Sequence, residues 1–571
     1  MTFCCLSARL YKETDMNKKK NKNNNDWTIM VYLGGNNNLG DEMVWALKDM
    51  QAWRLAVKLS KARNPRRKIK VLALLDVGGP AVDLDIGELD VRQTKGEDAP
   101  TTDLPKADEI PDGLVLTRTI KVREEADQAR ARKRSNEALA VPPVTTTLKT
   151  FLEKCIDGHE AKHYMIVLSG HGSGAVGDFL TADERPYGLT IPALGKVLRE
   201  VMHKKLQGRK FDVLGLDSCQ MSMAEVACEV QEAVDFMVGS EGFQPNAGWP
   251  YEQVLALLSN PTIVDNPGRF AENIVREHIG YYLDYAAADL STDISAMNLH
   301  HFGDLKHALS VFTNELGIKH QDKEFWSRVS KLPRPELAEQ LNRMVKQTLL
   351  SDQDLKDAIV LAHWEAQGYK REQYVDLWDF FNCLSRRLNL LKETDKYNSL
   401  KKACEAIKSV IEPNVLSANR NDRLVRLSGY SGPQFQHSHG ISIFLPWAEL
   451  TDASGIPDLV YYQTLEFAAT AWDEFILLYL HVTQRDVRTE NTTGRDYPSL
   501  LNRRTGLFIQ GPGKGDPDFD PYRGDPDFDP YRRTGLGTAK FESMKNPPIE
   551  WKKWFVNPTP TKHKKKAAGQ A

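Results

Sequence analysis

Short apolar runs ending in glycine recur along the first half of the chain, and stretches of helical spacing separate them. "WTIMVYLGG" (27–35) is continuous and apolar, as a strand buried on both faces of a parallel sheet requires. "NNNLGDEMVWALKDMQAWRLAVKL" (36–59) follows with helical periodicity, and Asn37 or Asn38 is placed to cap it. "KIKVLALLDVGG" (68–79) repeats the strand-then-glycine design, and "VDLDIGELDVRQT" (82–94) alternates as one arm of an antiparallel hairpin would.

Residues 95–114 are rich in Asp, Pro, Thr and Gly and read as a loop; "REEADQARARKRSNEALA" (123–140) reads as a solvated helix or flexible insert. "TTTLKTFLEKCIDG" (145–158) sets Leu148, Phe151, Leu152 and Cys155 at helical spacing. A third strand, "HYMIVLSGHGSG" (163–174), a helix, "LTIPALGKVLREVMHKKL" (189–206), and a fourth strand, "FDVLGLDSC" (211–219), complete the alternation. The fold class expected is α/β, a mainly parallel sheet flanked by helices, with a mostly helical C-terminal region and a disordered tail. The division expected is an N-terminal segment (1–26), an α/β domain (27–250), a C-terminal region packed on it (251–485) and a low-complexity tail (486–571). In the third of these only "GISIFLPW" (440–447) reads as a strand.

Composition narrows the partners. Lysine plus arginine (75) nearly balances aspartate plus glutamate (77), so nothing in the charge points to nucleic acid. No apolar run approaches the roughly 18 residues that span a bilayer, and the first 26 residues carry no apolar core of a signal peptide. Seven cysteines without a CxxC pair argue for free thiols in a reducing compartment, and the expected location is the cytoplasm. The tail repeats "GDPDFDPYR" in tandem at 515–523 and 524–532 and is a candidate site for a protein partner. Its D-x-D-x-D pattern resembles the opening of a calcium loop, but Pro521 and Pro530 stand where glycine is required.

Two strand ends carry chemistry. The third strand delivers His171 inside Ser-Gly-His-Gly-Ser-Gly, and the fourth delivers Cys219 in Asp-Ser-Cys. The 48 positions between them hold one loop, one crossover helix and one return strand, which brings both ends to the same sheet edge. A stripe of Met223, Val226, Ala227, Val230 and Val234 predicts a helix opening at or just after Cys219, and a helix N-terminus lowers a thiol pKa. His171 can protonate a leaving amine, and the amides of Gly172 and Cys219 are candidate oxyanion donors. A lone cysteine or histidine here would be read as packing; both on neighbouring strand ends favour catalysis. Cys155, Cys228, Cys383 and Cys404 sit in helical patterns and read as core thiols, and His437 with His439 as core or surface. Ser218 lacks the G-x-S-x-G elbow of a serine hydrolase, and "SGHGSG" does not open into the helix of a dinucleotide fingerprint.

Several segments together, "WTIMVYLGGNNNL", "YMIVLSGHGSG", "LGLDSCQMSMAEVA", "SEGFQPNAGWPY", "STDISAMNL", "YVDLWDF" and "HGISIFLPW", resemble the clostripain-like cysteine peptidases of the caspase–gingipain–legumain clan over about 27–482. The resemblance implies a caspase-like sheet, a protein or peptide substrate, His171 and Cys219 as the catalytic dyad, and cleavage after arginine or lysine. It places Asp217 at the base of the pocket for the residue before the cut, with Ser240 and Glu241 also on the substrate side. The sequence requires no cofactor, though some members of the family need calcium. Relatives often carry a second acid where this chain has Ala247, and many mature by self-cleavage between the histidine and the cysteine. The basic residues available for that are Arg185 (followed by Pro186), Lys204, Lys205, Arg209 and Lys210. Two further readings use the same residues: a non-catalytic interaction protein on a peptidase fold, and an amidase or transpeptidase working through the dyad.

Overall fold

The computed structural model describes residues 25–59, 68–76, 82–90, 143–176, 179–181, 188–284, 290–369, 373–392, 394–411, 423–446, 459, 461–490, 501–502 and 507–508. The charged stretch 123–140, Arg185 and the tandem repeats lie outside them. The chain divides into two units, Met1–Arg92 with Gln128–Ile509, and Gln93–Asp127 with Gln510–Ala571. Every described residue belongs to the first.

That unit is built on an eight-stranded sheet. Its strands are β1 (Asn25–Gly34), β2 (Lys68–Asp76), β3 (Val82–Asp90), β4 (Ala161–Ser169), β5 (Phe211–Asp217), β6 (Val234–Gly239), β7 (Thr292–Asn298) and β10 (Val425–Ser431). The order across the sheet is β10-β7-β6-β5-β4-β1-β2-β3. The five central strands, β2, β1, β4, β5 and β6, are parallel, and β3, β7 and β10 pair antiparallel at the two edges. The apolar runs of the sequence are the central strands because helices cover both of their faces.

Alternation along each strand sorts its side chains between two cores. Met30, Tyr32, Ile166, Leu168, Leu214 and Leu216 share one core with helices α2 (Val144–Gly158) and α3 (Ile191–Leu206). Leu148, Phe151, Leu152 and Cys155 of α2 are buried there, as their spacing predicts. Each large apolar side chain so buried contributes about 1.5–3 kcal/mol. Trp27 faces the other way: its ring packs edge-on to Phe270 of a helix at Pro267–Tyr282, and its indole N–H donates to Val264 O at 2.7 Å. Helix α1 (Gly40–Leu59) buries Met43, Leu47 and Met50.

Two strands of the sheet come from beyond residue 250, so the division expected there crosses the sheet. Their sequences hide them. β7, "TDISAMN", is buried throughout although Asp293 and Ser295 lie within it, and β10, "VRLSGYS", is a half-exposed edge strand. A further small sheet joins β8 (Gly368–Tyr369), β9 (Tyr374–Asp376) and β11 (Ser442–Phe444), in the order β11-β9-β8. Among the described residues, no helix is long and apolar enough to cross a membrane.

Candidate active site

Strands β4 and β5 are adjacent and parallel, and Ser169 pairs in register with Asp217. The ladder runs one step further, Gly170 N donating to Asp217 O at 3.3 Å. His171 and Cys219 therefore each stand two residues past the same register pair, at the carboxyl edge where α/β sheets place their functional groups. The two turns touch: a Cβ at Gly172 would collide with the carbonyl oxygen of Cys219 and reach the side chains of Met221 and Ser218 at 3.0 Å. Glycine at 172 is what lets the chains approach so closely. Gly174 (φ +74°) has the same duty on the other flank, where a Cβ would stand 2.5 Å from the ring of Tyr374. Tyr374 donates its hydroxyl to Ser173 O at 2.6 Å and so ties the histidine turn to β9.

His171 Nε2 lies 2.6 Å from Asn38 Oδ1. An amide oxygen accepts, so Nε2 carries the proton and Nδ1 is the basic nitrogen. The sequence offered Asn37 and Asn38 only as helix caps. In the structure Asn37 does the local work, accepting from Leu39 N at 2.8 Å and donating to Thr181 O at 2.7 Å, and Asn38 turns to the histidine.

The surroundings of Cys219 differ from expectation. The helix after it, α4 (Ala224–Val230), begins five residues later, and Val234 already belongs to β6. A turn fills the gap, with Gln220 at φ +59°. Helix-dipole stabilisation of a thiolate is thus lost. Burial pushes the thiol up to about 11, opposed by the Gln244 N–H that donates to Sγ at 3.3 Å; the carboxylates of Asp217 and Asp293 add to the rise. Burial thus favours the neutral thiol in this conformation.

Gln244 belongs to the segment 240–244 that follows β6. Ser240 Oγ donates to Ser218 O at 3.3 Å, and Ser222 N donates to Ser240 O at 2.8 Å. The Asp293 carboxylate accepts from Glu241 N and Gly242 N, both at 2.8 Å, and Gln244 Nε2 donates to Asp293 O at 2.9 Å. Ser240 and Glu241 are both fully buried. Glu241 Oε2 accepts from Gly440 N at 2.6 Å. Burial and the neighbouring Asp376 and Asp293 hold the Glu241 carboxyl well above the usual range, and burial lifts Asp293 to about 7. Asp376 accepts from Asp379 N at 2.7 Å and lies 3.2 Å from His439 Nδ1. This cluster fixes the backbone under Cys219 and joins it to the region beyond residue 250. Gln244 and Asp293 carry no motif that reveals these duties.

Asp217 is buried at the end of β5. Its Oδ2 accepts from Tyr251 OH at 2.8 Å and from Ser169 Oγ at 3.0 Å, while Oδ1 accepts no hydrogen bond. Desolvation raises its pKa, and Tyr251, the backbone of Trp249 and Ser169 oppose the rise. Gly248 (φ +68°) closes over it, with room for no side chain: a Cβ would stand 2.7 Å from Oδ2. Ala247 is exposed.

The sequence model of the clostripain family, Peptidase_C11, matches residues 10–478. The chain belongs to the clostripain family. It is a cysteine peptidase. Solved structures similar to it include an inactive zymogen C11 protease from Parabacteroides distasonis, 15% identical, covering 79% of this chain and 99% of that one, with a TM-score of 0.43. A secreted C11 cysteine protease from Bacteroides thetaiotaomicron, in complex with an irreversible peptide inhibitor, is 14% identical over 78% of this chain and 99% of its own, with a TM-score of 0.43. No curated protein matches the chain.

Proposed function

We propose that this clostripain-family peptidase is an endopeptidase that cleaves after arginine or lysine, with Cys219 as nucleophile and His171 as general base and acid. The observation that carries the reading is the shared register of the two side chains, each two residues beyond the Ser169–Asp217 pair. Nδ1 of His171, made basic by the Asn38 contact, takes the thiol proton. Sulfur attacks the scissile carbonyl, whose oxygen gains charge that the amides of Gly172 and Cys219 would stabilise. The imidazolium returns the proton to the leaving amine. Water, deprotonated by the same nitrogen, then hydrolyses the thioester. Drawing the proton onto His171 as substrate binds also answers the high resting pKa of the thiol, because an imidazolium neighbour stabilises the thiolate.

Selectivity for a cationic side chain rests on Asp217, a buried carboxylate with one oxygen lacking a donor. Fewer carboxylates than relatives carry, Ala247 standing in one such place, imply a weaker preference. Calcium does not fit the acidic cluster beside the site. Both Asp293 oxygens and one of Glu241 are taken by backbone amides, and Asp376 serves Asp379 and His439, so no step is routed through a metal. A reducing cytoplasm is the setting that suits seven cysteines without a CxxC pair. Replacing Cys219 with Ala is expected to abolish hydrolysis of arginyl and lysyl amide reporters with the thermal unfolding curve preserved; retained hydrolysis would overturn the proposal.

A further inference from the structure

A second cluster of ionisable side chains stands where the helix Trp472–Glu490 begins. Its first turn presents Asp473 and Glu474, consecutive and both fully buried. Two neighbouring carboxylates out of water repel one another and lose hydration, so a cation or a shared proton has to lie between them. Each has one oxygen already engaged. Glu474 Oε1 accepts from Gln321 N at 2.7 Å and Trp326 Nε1 at 3.4 Å, and an oxygen of Asp473 accepts from Gln463 Nε2. The other two oxygens, Asp473 Oδ1 and Glu474 Oε2, are buried and have no hydrogen-bond partner. Half-exposed His320 covers the pair, its Nδ1 standing 3.4 Å from Glu474 Oε1.

We propose that His320, Asp473 and Glu474 form a zinc site that staples the segment before Phe325 to the start of the helix Trp472–Glu490. One donor atom from each residue lies within 4.8 Å of the other two. Tetrahedral zinc, with bonds of about 2.0–2.2 Å, holds its ligands about 3.4 Å apart, so a small rotation of exposed His320 closes the site. The donors select the ion. An imidazole nitrogen with two carboxylates suits zinc, whereas calcium and magnesium take all-oxygen sets of six or more. The N–H donors on the remaining oxygens are the outer support that metal-bound carboxylates have elsewhere. Three protein ligands leave a fourth position on the His320 side for water.

The experiment uses the full chain, with zinc itself as the probe. Metal is stripped with EDTA, zinc is added, excess is removed by dialysis, and bound zinc is counted for wild type and His320→Ala. Thermal unfolding is followed in parallel with zinc and with EDTA. Wild type is expected to hold one zinc more per chain than His320→Ala, and to show a zinc-dependent rise in Tm that the variant lacks. Asp473→Asn should lose both as well; should it fail to fold, exposed His320→Ala still decides, because its loss removes little packing. Equal zinc content and equal Tm response in wild type and His320→Ala would overturn the site. So would a calcium response as large as the zinc response.

Discussion

Tyr251 donates its hydroxyl to Asp217 Oδ2 at 2.8 Å, at the end of the strand that delivers Cys219. The contact holds the carboxylate at that strand end, and Oδ1 is without a donor. If that oxygen meets a cationic side chain, Asp217→Asn removes a charge-assisted contact of about 1.5–3 kcal/mol. It should then lower kcat/KM for arginyl reporters about 10–100-fold while leaving a reporter with a neutral residue at that position nearly unchanged. Tyr251→Phe should relax the selectivity less and keep its sign. An unchanged substrate profile for Asp217→Asn, measured on a peptide library, would make Asp217 a purely structural strand end.

The Asn38–His171 contact predicts a kinetic signature. Asn38→Ala frees the imidazole to adopt the wrong tautomer, and kcat should fall about 10–100-fold with KM almost constant, since orientation and not substrate contact is lost. Asn38→Asp keeps an acceptor at Nε2, so it should retain more activity and shift the acid limb of the pH profile upward, its carboxylate favouring the imidazolium.

Resting Cys219, raised to about 11, should behave as a slow thiol. The neutral form dominates below the pKa, so the thiolate fraction grows about tenfold per pH unit through neutrality. Alkylation by iodoacetamide in the absence of substrate should rise steadily from pH 6 to 9 without levelling. A plateau near pH 7 would mean that an ion pair with His171 already exists in the free enzyme.

The central strands and helices α2 and α3 were legible because pattern and environment agree: continuous apolar runs buried on both faces, and helical stripes against them. The His171–Cys219 pair was legible from glycine spacing and strand ends. The acidic support was not. Asp293 lies inside a strand whose polar residues face a buried network and not solvent, so alternation misreports it. The stripe from Met223 to Val234 predicts too early and too long a helix because buried Met223 is the extended residue before it and Val234 lies in the strand after it. The resemblance puts Glu241 on the substrate side, and the structure adds that its side chain is buried and held by Gly440 N. Motif spacing reveals which residues matter and says little about which way they point.

His278 supplies a stability test. It is fully buried against Thr292, Nε2 to Oγ1 3.1 Å, and desolvation lowers its pKa to about 3. Between that value and the ordinary 6.5 the unfolded chain binds a proton that the native state does not, so stability falls as pH drops from 6.5 toward 3. The loss is about 1.4 kcal/mol per pH unit. His278→Phe removes this proton. Its unfolding midpoint in urea should therefore decline less than wild type between pH 7 and pH 4, whatever its value at pH 7.

Four of the basic residues offered for self-processing lie far from Cys219. Lys204 and Lys205 lie in the last turn of α3, paired with Glu153 and Asp157. Arg209 and Lys210 precede β5 and donate to Ala161 O and to Gln231 O. Seven residues of β5, about 3.3 Å each, put these four basic residues about 20 Å or more from Cys219 at the opposite sheet edge. A chain cutting itself cannot reach them without unfolding the central strand. Mass spectrometry of freshly folded wild type, at concentrations low enough to suppress cutting between molecules, should show no fragment beginning at Lys205, Leu206, Lys210 or Phe211. Such a fragment, forming at a rate independent of concentration and absent from Cys219→Ala, would require the β4–β5 connection to open during maturation.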